Sequence, residues 1–167
     1  MADDGSVGAV LAYCDGFPLD RFSPGEVLLA EGPASDRMFI LAAGEVEVMR
    51  GDTQVAAIAM PGAIFGEIAA LLGGRHTATV RAVTEVTAFR IENARALLQS
   101  HREISFHVSS ILARRLTDAT TYLADLKRQF ADRSDHLGMV DEVLDALVQR
   151  QRPAVTTGSS RKSDPRL

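Results

Sequence analysis

Short apolar runs cut by turn signals fill the sequence after Leu19, and this punctuation constrains the fold more than any other feature. Ser23-Pro24-Gly25, Glu31-Gly32-Pro33 and Ala43-Gly44 separate the runs Val27–Ala30, Met38–Leu41 and Val46–Met49. Arg50-Gly51-Asp52 is a hairpin turn into Gln54–Ala59, and Pro61-Gly62 is another turn. Runs this short, rich in branched apolar residues and bounded by Gly and Pro, read as strands. Thr79–Ala82 and Val86–Ile91 close the sheet. The pattern predicts a mainly β plus α chain: an antiparallel β jelly roll, or double-stranded β-helix, over residues 19–92, followed by a long C-terminal dimerisation helix. Residues 1–18 form a lead-in with a short helix over 6–14, ended by Asp15-Gly16 and Pro18. There is no internal repeat, and 167 residues suffice for one domain with a full core plus an extension.

From Asn93 the pattern turns helical, and residues 93–149 read as coiled-coil-like helices. Ala94–Gln99 makes a short helix and a second begins near Glu103. Leu112, Leu116, Ala119, Leu123, Leu126 and Phe130 then alternate spacings of four and three, the seam of a coiled coil. Arg133 interrupts it, and Leu137, Val140, Leu144 and Leu147 resume it in the same phase. A continuous helix over that range is about 54 Å long at 1.5 Å per residue, more than one barrel covers, so a homodimer through residues 104–147 is expected. Ser134-Asp135 can cap a new helix and Gly138 is a weak point, so a kink or reversal there competes with continuity. Residues 150–167 are a disordered basic tail by composition.

The chemistry is concentrated in residues 61–82. Glu67 is the one acid there and follows Gly66, which lets the backbone approach a ligand. Ile68–Leu72 are good helix formers, enough for about one turn whose first amides are unpaired. Gly73-Gly74 stops the turn, and Arg75-His76-Thr77 returns a guanidinium, an imidazole and a hydroxyl to the same place. A carboxylate suits sugar hydroxyls; amides, guanidinium and hydroxyl suit a phosphate. Together they describe a small nucleotide gripped by its ribose and phosphate.

These residues resemble the cyclic-nucleotide-binding domain of catabolite-activator-type regulators, cyclic-nucleotide-dependent kinases and gated channels. Phe65-Gly66-Glu67-Ile68-Ala69, a short gap, and Arg75-His76-Thr77-Ala78-Thr79-Val80 are similar to that family's phosphate-binding cassette. The likeness runs over roughly residues 10–130 and includes Pro24-Gly25-Glu26 and Gly44-Glu45-Val46-Glu47-Val48. It implies that Glu67 binds the ribose 2'-hydroxyl, that an Arg pairs with the cyclic phosphate, and that Thr77 adds a hydrogen bond. By spacing, the family's Arg falls on His76, with Arg75 one residue early. Neighbours in extended chain face opposite ways, so either the loop shifts to present Arg75 or His76 meets the phosphate, best when protonated. The likeness also places Ala119-Thr120 where a Thr-Ser pair of the dimer helix touches the purine, leaving Thr120 as the candidate base contact. The expected ligand contacts are therefore Phe65, Gly66, Glu67, Ile68, Ala69, Arg75, His76, Thr77, Ala78 and Thr120.

Four functions compete. The first is a binding module that senses cyclic AMP or cyclic GMP, with no further cofactor, and reports through its helices to an effector protein. A transcription regulator is the second, but residues 135–149 hold Asp135, Asp141, Glu142 and Asp145 and no Lys or Arg. With a net charge of -4 as well, direct sequence-specific DNA binding is not expected. An enzyme on a jelly roll would need clustered metal ligands, whereas His76, His101, His107 and His136 are scattered, so neither catalysis nor a metal is expected. The fourth is a structural dimer module with a degenerate pocket. The lone Cys14, the acidic Met1-Ala-Asp-Asp start and the shortness of Val7–Ala12 point to a cytoplasmic protein with no membrane contact.

Overall fold

The computed structural model describes residues 10–129 and 134–149. The acidic start, Phe130 and Arg133 of the heptad pattern, and the basic tail lie outside the described residues. Eight strands follow one another: β1 Leu19–Phe22, β2 Val27–Leu29, β3 Met38–Ala43, β4 Val46–Arg50, β5 Thr53–Ile58, β6 Ile64–Phe65, β7 Thr79–Ala82 and β8 Val86–Ile91. The cassette helix Glu67–Leu72 lies between β6 and β7, and the helices Ala94–Ser100, Arg102–Gln129 and Ser134–Gln149 follow β8.

The strands form two four-stranded antiparallel sheets, ordered β1-β8-β3-β6 and β2-β7-β4-β5. This is the antiparallel sandwich expected from the turn spacing, followed by the long helix. β3 shows why one of its strands is apolar throughout. Met38, Phe39, Ile40 and Leu41 are all buried, but Phe39 and Leu41 join Val46, Phe65, Val80 and Val86, whereas Met38 and Ile40 join Val10, Cys14, Ile64, Ile91, Ile104 and Val108. Successive side chains of a strand point to opposite faces, so β3 serves two cores, one shared with the other sheet and one with the flanking helical residues. β6 divides in the same way, Phe65 to the first core and Ile64 to the second.

The chain divides into two compact units after Leu112. In the first, Ile104 and Val108 anchor the start of the long helix in the second core. In the second, the helices Arg102–Gln129 and Ser134–Gln149 are tied by an ion pair between Lys127 and Asp141. Along one continuous helix those residues would stand about 21 Å apart, so the chain reverses between the two helices. Among the described residues no helix is long and apolar enough to cross a membrane.

Candidate functional site

The site is built where β6 runs into the cassette helix. Gly66 adopts a left-handed conformation, φ +90°, that L side chains rarely take. A Cβ there would lie 2.5 Å from the Arg37 carbonyl oxygen, 3.1 Å from Leu29 Cδ1 and 3.3 Å from the Met38 Cα. Glycine is thus required twice, by conformation and by space. The helix that follows lasts only Glu67–Leu72, because Gly73 is again left-handed and its N–H closes on the Ala69 carbonyl at 2.9 Å.

The far side of the cassette is fixed to the same loop between β2 and β3. Residues 34 and 75 form an isolated antiparallel bridge. The Gly32 N–H donates to the His76 carbonyl at 2.9 Å, and the His76 N–H to the Pro33 carbonyl at 3.1 Å. The Glu31 N–H donates to Thr79 Oγ1 at 3.0 Å. Residues 31–37 therefore hold both ends of the cassette, Gly66 through the Arg37 backbone and the Arg75-His76 corner through residues 32–34.

The sequence-derived site residues take different positions in this frame. Phe65, Glu67, Ala69 and His76 are buried, Gly66 and Ala78 half-buried, and Ile68, Arg75 and Thr77 exposed. Glu67 is 3% exposed, an unusual burial for a carboxylate that sets it apart from the surface acids. Arg75 and His76 face opposite ways, as the extended chain requires. Arg75 Nη1 donates to the Gly32 carbonyl at 3.3 Å, while the His76 ring turns inward and its Nε2 meets Ser35 Oγ at 2.6 Å. Burial lowers the His76 pKa from its ordinary value, and the positive charge of Arg37 lowers it further. Both effects favour the neutral form of the His76 ring. Thr120 lies in the second compact unit, half-buried on the long helix, where its hydroxyl donates to the Leu116 and Thr117 carbonyls at 2.9 Å each.

A cleft of about 260 Å³ opens between the cassette helix and the β2–β3 loop, lined by Ser35, Asp36, Ala69, Ala70, Gly73 and Arg95 among others. Of the expected ligand contacts only Ala69 borders it. Asp36 Oδ1 accepts the Arg95 backbone N–H at 2.8 Å, so the loop also fixes the start of the helix Ala94–Ser100. Ser35, Asp36 and Arg37 went unnoticed in the sequence; a Ser-Asp-Arg stretch before a strand carries no signal of what it will touch. Among the described residues no three His, Cys, Asp or Glu side chains gather as a metal site.

Comparison with known proteins agrees with this geometry. The family model described as "Cyclic nucleotide-binding domain" matches residues 19–101. The chain is similar to the CRP-like cAMP-activated global transcriptional regulator of Mycobacterium tuberculosis, 33% identical over 115 residues, 65% of this chain and 51% of that protein. It is also similar to the cGMP-dependent protein kinase egl-4 of Caenorhabditis briggsae, 30% identical over 118 residues, 65% of this chain but 16% of the kinase. The chain thus spans about half the length of the regulator and a small part of the kinase. Among solved structures, the Catabolite Activator Protein of Thermus thermophilus shares the fold with a TM-score of 0.56 at 22% identity, covering 89% of this chain and 84% of that one. A cAMP-bound PfPKA-R shares it with a TM-score of 0.56 at 22% identity, covering 72% and 44%.

Proposed function

Because residues 19–101 belong to the cyclic nucleotide-binding domain family, we propose that this chain is a regulatory module that senses cyclic AMP or cyclic GMP and passes the event to its C-terminal helices. Glu67 accepts from the ribose hydroxyls, and the corner Arg75-His76-Thr77 takes the cyclic phosphate, with Phe65, Gly66, Ile68, Ala69 and Ala78 shaping the wall between them. Thr120 is the candidate purine contact. The observation that carries this reading is the anchoring of both cassette ends on residues 31–37, which ties the buried carboxylate and the basic corner to one short loop.

The proposed output is helical. Asp36 ties that loop to the helix Ala94–Ser100, which leads directly into Arg102–Gln129, so closure of the cassette on a ligand has a path to the helices. We place a homodimer contact along residues 104–147, and an effector protein beyond it. The kinase match covers a small fraction of that enzyme, and we read this chain as a binding module rather than a catalyst.

One observation supports a competing reading. The inward His76 ring, whose neutral form is favoured, brings little charge to the position where the resemblance places the family's Arg, as a structural dimer module with a degenerate pocket would. Calorimetric titration of the full chain with cyclic AMP and cyclic GMP separates the two. Binding to either, weakened about tenfold or more by Glu67→Gln, is expected, because a hydrogen bond to a charged group contributes roughly 1.5–3 kcal/mol. No heat with either ligand at millimolar concentration would leave the structural reading. Solution size with and without ligand then tests the dimer.

A further inference from the structure

We propose that two copies of this chain associate as a four-helix bundle in which the last helix, Ser134–Gln149, of each copy lies antiparallel on the long helix of the other. The inference rests on the homodimer placed above along residues 104–147 and names its contact faces; it does not depend on nucleotide binding.

The last helix carries more apolar surface than one neighbour can cover. At about 100° per residue, Met139, Val140, Val143, Leu144, Ala146 and Leu147 occupy an arc of about 160°, whereas a helix packed on one neighbour needs roughly 100°. Val140, Leu144 and Leu147 are half-buried, as are Leu123 and Leu126 of the long helix. These belong to the heptad seam, and with the chain reversed by the tie between Lys127 and Asp141 the seam is used up within one hairpin. Met139 and Val143, by contrast, are 72% and 46% exposed, and Ala146 beside them is exposed. On the long helix Tyr122 is 65% exposed and Ala119 is exposed.

These two exposed groups form one face. Each lies about 100° from the half-buried side of its own helix, in the same rotational sense, and two helices that run antiparallel then present both on one flank of the hairpin. Among the described residues of 113–149 no side chain is buried, so the hairpin has no core of its own. A second hairpin laid on that flank supplies one.

Charge selects the pairing. Residues 113–129 carry Arg114, Arg115, Lys127 and Arg128 against Asp118 and Asp125, while the last helix carries Asp135, Asp141, Glu142 and Asp145 with no Lys or Arg. Two identical faces meet about a twofold axis in two ways. One sets each acidic helix on its own copy; the other sets it on the basic helix of the partner, and only the second brings opposite charges together. That second arrangement places Tyr122 of one copy over Val143 of the other.

The test is sedimentation of the unaltered full chain, then cross-linking of a mixture of Tyr122→Cys and Val143→Cys chains, one of them carrying a mass tag. Cys14 does not compete, being 0% exposed. A dimer is expected, and a short bis-maleimide is expected to join Tyr122→Cys to Val143→Cys in preference to joining either variant to itself. Val143→Gln is expected to weaken association at least about tenfold, because each copy would bury an amide in place of an apolar side chain. A monomeric unaltered chain overturns the proposal and the homodimer with it, while calorimetry with cyclic nucleotides still decides the sensing role. A dimer that links either variant to itself, or that fails to link the pair, overturns the bundle and leaves the homodimer standing. So does association unchanged in Val143→Gln.

Discussion

Gly66 approaches the backbone of Arg37 so closely that a Cβ at residue 66 would lie 2.5 Å from the Arg37 carbonyl oxygen. Arg37 immediately precedes β3, the strand shared by both cores, so the cassette is seated beside a strand whose first four residues are all buried. Gly66→Ala is expected to cost at least about 2 kcal/mol, from the left-handed conformation plus displacement of backbone. Gly25→Ala is the control: φ is +89° there, but nothing lies within 4 Å. It should cost about 1–2 kcal/mol, the conformational part alone. Equal losses in urea unfolding would mean that the approach to Arg37 is slack.

His76 makes stability depend on pH. Its pKa is lowered in the fold by burial and then by Arg37, while the unfolded chain keeps the ordinary value near 6.5. Below that value the unfolded state binds a proton that the folded state refuses, so stability falls as pH drops through 6.5 and toward the folded pKa. Above 6.5 the contribution is complete and flat. Urea midpoints at pH 7.5 and 5.5 should differ less in His76→Gln than in the unaltered chain; an identical difference would place the titration elsewhere.

Cys14 should be unreactive while the domain is folded. It is 0% exposed, and burial, with Asp15 second, pushes its pKa up to about 11. Relative to an ordinary thiol this removes on the order of 99% of the thiolate at pH 8. A disulfide reagent should modify Cys14 at least about 100-fold more slowly in buffer than in denaturant. Rapid labelling without denaturant would show that the second core opens.

The reversal between the last two helices can be trapped. Lys127→Cys with Asp141→Cys is expected to be bridged within one chain by a short bis-maleimide, which does not need the close Cα approach of a disulfide, and to run as a faster monomer on denaturing gels. Cysteines about 21 Å apart on a continuous helix could form no such bridge. Exclusive formation of cross-linked dimers would restore the uninterrupted helix.

How far the sequence anticipates this structure depends on the range over which each feature is decided. β7 Thr79–Ala82 and β8 Val86–Ile91 have the limits that local pattern gives them, and the cassette helix needs only one residue added, Glu67. β6 escaped notice because two residues carry no period, and β1 because Leu19–Phe22 is defined by its pairing with β8, far along the chain. The heptad seam keeps its phase across residues 130–137, so spacing alone gave no reason to choose between a straight helix and a hairpin. At the cassette, Gly66-Glu67 and Arg75-His76-Thr77 were legible as chemistry. Which of Arg75 and His76 turns inward was not, since that is decided by Pro33 and Ser35 from another loop.

The pairing of β1 with β8 has an architectural result. Leu19 lies across from Phe89 and Phe22 from Val86, so the polypeptide arrives beside the place from which it departs. A sandwich closed this way can be spliced between unrelated segments without parting its sheets, as a plug fits a socket. Portability of that sort suits a domain whose likeness recurs in about half of one regulator and about a sixth of a kinase.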